Sequence, residues 1–262
     1  MNTSDFLRPD FMQAVVDRHS TRSFSGEPFT ADDIRNIDAA VAEANARSDG
    51  RFKLVFFPGT VAEGRVGTYG VISRPSGWFG VCAPEGTDAI RAAMAMERIV
   101  LMLTAAGIGT CWVGGTFDRK VTDTFTSRAA AMPLRVLVAA GYPAEKVRFV
   151  DRLMRGIAGS RKRKAVQELF TVVDGNMKYW RSALDAMRLA PSSMNSQPWR
   201  GRIYADRIEF SCDTHSALSD IDMGIGLVHF LIGAEADGIV GRFNLTPAPV
   251  FALGLGTDKY FV

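Results

Sequence analysis

The chain has 262 residues, 47% of them hydrophobic and 23% charged, with 31 Lys and Arg against 28 Asp and Glu for a net charge of +3. That composition excludes a disordered tail or a collagen-like fibre, and so even a charge balance gives no sign of a nucleic-acid partner. At about 150 residues per domain the length corresponds to ~1.7 domains, with roughly 70–75% of the unfolded chain's surface leaving water; one large domain, two small ones, or a unit followed by a shortened copy all fit.

In chain order, Met1–Phe11 lacks the basic-then-apolar pattern of a secretory leader. Asp10–Arg18 predicts a short helix with Phe11 and Val15 on one face, and His19–Phe24 breaks it. Thr30 with Asp33 three residues on is a weak capping box before a helix over Ala31–Arg47, whose apolar stripe is Ile34, Ile37, Val41 and Ala44. Phe52–Phe57 and Trp78–Ala83 read as strands separated by a Gly-rich loop, and Asp88–Ala106 as a long, buried helix. Ile99–Phe117 carries no charge over 19 residues, the length of a membrane span. Gly107, Gly109, Gly114 and Gly115 crowd its second half, so it reads instead as a helix end, a Gly-rich turn and an irregular segment, with no membrane partner. A strand over Arg135–Ala140 follows.

A similar order then returns in shorter form: a helix over Met177–Ala190, a hairpin of Arg202–Tyr204 and Ile208–Cys212, a nearly apolar helix over Ile221–Ala236, and a strand over Val250–Leu255. Cys82 and Cys212 close equivalent strands 130 residues apart, and Gly107 and Gly238 follow equivalent helices 131 residues apart. The offset suggests an internal duplication, although an α+β chain can show such an order by chance. Between the repeats lie a basic cluster, Arg161–Lys164, and a helical patch over Ala165–Phe170.

The chemistry is narrowed by what is missing. Three cysteines without a CxxC pair and three dispersed histidines argue against a disulfide framework or a zinc site, and predict a reducing, cytoplasmic setting. No dinucleotide fingerprint or P-loop is present, and Gly224-Ile-Gly226 and Gly254-Leu-Gly256 are only GxG. His229, on an apolar helix face, reads as a satisfied core histidine, and His215 as exposed. Three segments stand out. In Arg18-His19-Ser20-Thr21-Arg22 an extended backbone would put Arg18, Ser20 and Arg22 on one side, suited to a phosphate, or the segment is a solvated loop. Pro191–Trp199 packs Ser, Asn and Gln into a Pro-bounded loop that either ends a helix or recognises a polar heterocycle or polyol. Arg161–Lys164 is a solvated face or part of a site.

On those segments the chain resembles the nitroreductase family of FMN-dependent oxidoreductases. RHSTRSF at Arg18–Phe24 is similar to its N-terminal flavin segment, and APSSMNSQPW at Ala190–Trp199 is nearly its signature loop. AAGIGTCWVGGTFD at Ala105–Asp118 resembles the stretch beneath the flavin ring; VLVAAGYP and SRKRKAVQELF resemble the closing strand and phosphate-binding tail. In a typical member the first two motifs lie about 20–30 residues apart within one repeat. Here residues 45–50 hold no such loop, and the signature loop sits in the second repeat instead.

The resemblance implies an α+β, three-layer nitroreductase-like fold, internally duplicated so that one chain mimics the family's homodimer. Residues 1–172 would be a nearly full half and 173–262 a shortened one, interlocked as one body. Arg18, His19 and Ser20, assisted by Arg161 and Arg163, would hold the FMN phosphate and ribityl oxygens, and Arg22 would be the catalytic cation that stabilises the reduced ring. Pro191, Ser192, Ser193 and Asn195 would contact ring and ribityl, Gln197 would support the loop, and Gly114 and Gly115 would let backbone approach the ring. Of Trp78, Trp112 and Trp199, at least two belong to the core. The implied activity is a ping-pong hydride transfer from NADH or NADPH to a small acceptor such as a nitroaromatic or quinone. The acidic residue that some members carry near Trp112–Gly115 is missing. The alternative is a flavin-binding or sensing protein without turnover.

Overall fold

The computed structural model describes residues 1–58, 70–115, 117, 122–145, 162–214 and 216–254. Two short helices open the chain, α1 (Thr3–Leu7), absent from the sequence reading, and α2 (Phe11–Asp17). Asn2 and Asp10 cap them by accepting from Asp5 N and Gln13 N, each at 2.9 Å. Helix α3 (Ala31–Arg47) begins at Thr30, and its capping box is complete. Thr30 Oγ1 accepts from Asp33 N and the Asp33 carboxylate accepts from Thr30 N.

The first sheet contains β1 (Lys53–Pro58), β2 (Gly77–Cys82), β3 (Gly109–Val113) and β4 (Leu134–Gly141), antiparallel in the order β1-β2-β4-β3. Helix α4 (Thr87–Ala105) connects β2 to β3, and α5 (Thr122–Arg128) precedes β4. The second part holds α6 (Val166–Leu169), β5 (Phe170–Val172), a 3₁₀ turn at Met177–Trp180, α7 (Arg181–Leu189), β6 (Trp199–Ile203), β7 (Arg207–Cys212), α8 (Ser219–Ala236), β8 (Gly241–Asn244) and β9 (Val250–Leu253). Its sheet runs β5-β6-β7-β9-β8, with β5 parallel to β6 and the other pairs antiparallel. Strands β6–β9 therefore repeat the order and pairing sense of β1–β4.

Three readings are corrected. The segment expected to be irregular after Gly107 is the edge strand β3, paired from Gly109↔Gly141 to Val113↔Leu137. Its partners lie far along the chain, so nothing local announces it. Strand β8 was missed for the same reason, so each sheet ends in a pair of strands, β3 with β4 and β8 with β9, where one was expected. The helix expected over Met177–Ala190 starts as the 3₁₀ turn and becomes α-helical only at Arg181.

Helix α4 lies on the first sheet, α8 on the second, and the two pack along each other. The helices thus form the middle of the molecule, with a sheet on either side. Every residue of α8 from Ile221 to Ala234 is buried, which explains its almost uniform apolarity. The axes approach closely where Gly224 faces α4: a Cβ there would lie 2.3 Å from Ile90 O and 2.7 Å from Ala93 Cβ. Gly233 does the same against α7, where a Cβ would lie 2.3 Å from Ser182 O. A smaller apolar cluster on the outer face of the first sheet gathers Phe24, Phe57, Trp78 and Leu137 against Phe125 of α5. Among the described residues no helix is long and apolar enough to cross a membrane.

One polar group crosses this apolar middle. Glu97 of α4 is fully buried, accepts from Trp112 Nε1 of β3 at 2.6 Å and is hydrogen-bonded to His229 Nε2 of α8 at 2.8 Å. His229 meets Glu97 through Nε2, and its Nδ1 is buried without a partner among the described residues. His229 is a core histidine as expected, but only half satisfied. The helix contact yields the first prediction: Gly224→Ala is expected to lower stability in urea unfolding by about 1–3 kcal/mol, because backbone, not a flexible side chain, blocks the added methyl.

Candidate functional site

A cavity of about 640 Å³ opens between the two parts of the molecule. One wall comes from the segment after α2. Arg18 N closes the helix on Ala14 O, and the chain then extends, held by Thr21 N to Thr110 O at 2.8 Å and Ser73 N to Arg22 O at 2.9 Å. Thr21 and Ser23 turn inward and are buried, while Arg18, Ser20 and Arg22 line the cavity with His19. This is the one-sided display expected of an extended run. Gly109 permits it, since a Cβ there would lie 2.6 Å from Thr21 Oγ1.

The facing wall is the loop between α7 and β6. Met194, Asn195 and Gln197 all adopt positive φ, 50°, 55° and 48°, a conformation that costs non-glycine residues energy and persists only where surroundings enforce it. The enforcement is visible. Arg163 donates through Nη1 to Asn195 Oδ1 at 2.6 Å and Ala190 O at 3.1 Å, and through Nη2 to Leu189 O at 2.9 Å. Lys164 N donates to Gln197 Oε1 at 2.9 Å, Asn195 Nδ2 donates to Lys162 O at 2.8 Å, and Gln197 N donates to Ser192 Oγ at 2.9 Å. From below, Asp222 Oδ1 accepts from Ser193 N at 2.9 Å and Ser193 Oγ at 3.1 Å.

Arg18, His19, Ser20, Arg22, Gly114, Gly115, Arg163, Pro191, Ser192, Ser193 and Asn195 all line this one cavity. Arg161 lies outside the described residues, as does His215. Arg163 differs from its expected use, because both terminal nitrogens are engaged by the loop and by the end of α7. Gln197 is buried and supports the loop, as expected. At Gly114 the space of a side chain is taken by Leu218, whose Cδ1 would lie 2.4 Å from a Cβ, whereas the space at Gly115 is open. Trp78 and Trp199 are core residues and Trp112 lines the cavity.

The sequence reading missed the cavity's other side, Val71, Ile72, Met194 and the α8 face of Leu218, Ile221, Asp222 and Ile225. An acid near the start of an almost apolar helix was the available signal. The electrostatics are divided accordingly. Burial, then repulsion by Arg18 and by Arg188, lowers the pKa of Arg163 to about 10. Burial also lowers that of Arg18, against the opposing pull of Glu97 and Cys111. Among the described residues, Arg18 Nε and Arg22 Nη1 are buried with no hydrogen-bonding partner. Among the described residues no cluster of His, Cys, Asp and Glu could hold a metal ion.

A family model described as "Putative TM nitroreductase" matches residues 10–234. The chain belongs to that family of nitroreductase-type oxidoreductases. The crystal structure of a putative nitroreductase from Thermotoga maritima MSB8 superposes with a TM-score of 0.60 at 17% identity, covering 97% of this chain and 93% of that one. This likeness establishes the nitroreductase fold. A nitroreductase family protein from Clostridium novyi NT matches 52% of this chain and 86% of its own at 18% identity, TM-score 0.43. An FMN-dependent nitroreductase from Clostridium difficile R20291 matches 52% and 88% at 13% identity, TM-score 0.42. No curated protein matches the chain.

The loop's fastening can be tested directly. Gln197→Ala strips partners from Lys164 N and Lys162 O at once, and is expected to cost about 1–3 kcal/mol in chemical denaturation.

Proposed function

We propose that the protein is an FMN-dependent NAD(P)H oxidoreductase that reduces a small nitroaromatic or quinone acceptor. The observation that carries this reading is the pair of guanidinium nitrogens buried without a partner among the described residues, Arg18 Nε and Arg22 Nη1, on residues that line a cavity shared with the strained Pro191–Gln197 loop. Buried donors without acceptors are costly, and cations crowded as Arg18 and Arg163 are call for an anion between them. The donor set therefore suits a phosphorylated, oxygen-rich cofactor.

Arg18, His19 and Ser20 would hold the phosphate and ribityl oxygens, with Arg161 joining them. Arg163 would act mainly by holding Asn195 and the end of α7 in place for the same ligand. Pro191, Ser192, Ser193 and Asn195 from one side, and Gly114 and Gly115 from the other, would border the ring. Bound FMN would supply two-electron chemistry, taking a hydride from NADH or NADPH and passing it to the acceptor in a ping-pong cycle. Arg22 would favour the negatively charged reduced state by placing a fixed cation beside it. Val71, Ile72, Leu218, Ile221 and Ile225 give the remaining wall an apolar surface that admits a flat ring and excludes water.

We further read residues 1–172 and 173–262 as duplicated halves that imitate a dimer within one chain. The common strand order of the two sheets supports this, as does a cavity that draws Arg18–Arg22 from one half and Pro191–Asn195 from the other.

The purified protein should bind FMN and show flavin absorption that bleaches anaerobically on adding NADH or NADPH. A protein that ignores added FMN would overturn the reading. Arg22→Ala should bind FMN but slow its reduction on the order of 10²-fold and lower its midpoint potential, read by stopped-flow and by dye-coupled titration.

A further inference from the structure

Asp222 sits in the first turn of α8, between Leu218, Ile221 and Ile225, on the apolar side of the cavity. It is 3% exposed and is the one carboxylate among the described lining residues. Its Oδ1 accepts both hydrogen bonds from Ser193, so the side chain cannot swing away. Its Oδ2 forms no hydrogen bond and no ion pair among the described residues. Arg18, His19, Arg22 and Arg163 also line the cavity, and among the described residues Asp222 forms an ion pair with none of them. Asp220 shares its helix, Cys212 of β7 lies near enough for its thiol to feel both carboxylates, and Glu97 meets His229 farther along α8. Glu97 and His229 are committed to each other. Burial, then Asp222, then Asp220 and Asp213 push the Cys212 thiol up to about 11, against a smaller opposing pull from Arg200, so it is no acid at neutral pH.

Resting on the function proposed above, we propose that Asp222 is a catalytic residue, the acid that delivers a proton to the acceptor reduced in this cavity. Reduction of a quinone adds two electrons and two protons. One proton arrives with the electrons as the hydride that originates in NAD(P)H. The second comes from the Asp222 carboxyl: its O–H bond breaks as the acceptor's O–H bond forms, and the carboxylate left behind regains a proton from solvent. NAD(P)H is oxidised and the quinone is reduced, and the only other reactant is that one solvent proton. Burial supports the assignment by raising the Asp222 pKa to about 6, which the two Ser193 hydrogen bonds only partly oppose. A buried acid titrating near working pH in a cavity wall has the properties of a general acid.

The raised value also has a sign for stability. A carboxyl group whose pKa is higher in the folded state favours folding while protonated, and that contribution is lost as pH rises from its unfolded value through about 6. Asp222→Asn keeps an oxygen for Ser193 and removes the charge. The variant should therefore melt at a higher temperature than the wild type at pH 7.5, with the gap closing as pH falls toward 4. This arm needs no flavin, and a variant no more stable at pH 7.5 would remove the buried charge on which the proposal stands.

The kinetic arm uses FMN-loaded protein reduced with NADH or NADPH, then mixed anaerobically with menadione. The wild-type rate constant should fall as pH rises through about 6, and that of Asp222→Asn should be on the order of 10²-fold lower at pH 5.5 and flat with pH. A variant that keeps the same break and rate overturns the proposal. So does a variant that alone loses FMN, because Asp222 would then serve only to anchor the loop. A wild type that takes up no FMN brings down the proposed function itself, and this inference with it.

Discussion

The close contact of α4 with α8 is the constraint on which the rest of the molecule depends. It can form only because Gly224 lets the Ile90 carbonyl approach where any side chain would stand. It brings two sheets of the same strand order back to back across a common helical layer. Glu97 makes the contact specific as well as apolar, since one of its oxygens takes a donor from β3 and the other is hydrogen-bonded to α8. Breaking such a buried group from either partner is more damaging than replacing the whole set with apolar residues. Through Trp112 the same carboxylate reaches the cavity wall, so the packing of the core and the shape of the site are set together.

The site itself is built from two backbones that could not hold their shapes alone. The Arg18–Phe24 strand borrows hydrogen bonds from Thr110 and Ser73. The Pro191–Gln197 loop keeps three left-handed residues because Arg163, Lys162, Lys164 and Asp222 fasten it from both sides. Strain of this kind needs compensation elsewhere in the structure, and here it comes from residues up to 35 positions away in sequence.

Charge is distributed unevenly around the cavity. Arg18 and Arg22 share one wall, each with a buried nitrogen that lacks an acceptor among the described residues, and Arg163 is fastened to the facing loop. The α8 side is aliphatic and holds the one carboxyl group among the described lining residues. A cationic end suits an anionic ligand, and an apolar end with one weak acid suits a neutral ring that must gain a proton. Membership of the nitroreductase family agrees with both.

The sequence by itself determined the local features. The helix caps at Asp10 and Thr30, the periodicity of α3, the apolar run of α8 and the two polar segments at Arg18–Arg22 and Pro191–Gln197 are all properties of neighbouring residues. Only the tertiary structure decided the rest. Strands β3 and β8 exist because distant strands offer them partners. Arg163 is committed to the loop because α7 ends beside it. Asp222 and Glu97 look like ordinary acids in the sequence, yet one is buried in a cavity wall with only Ser193 bonded to it among the described residues and the other is shared between β3 and α8. Burial and pairing belong to the three-dimensional neighbourhood, and no local pattern encodes them.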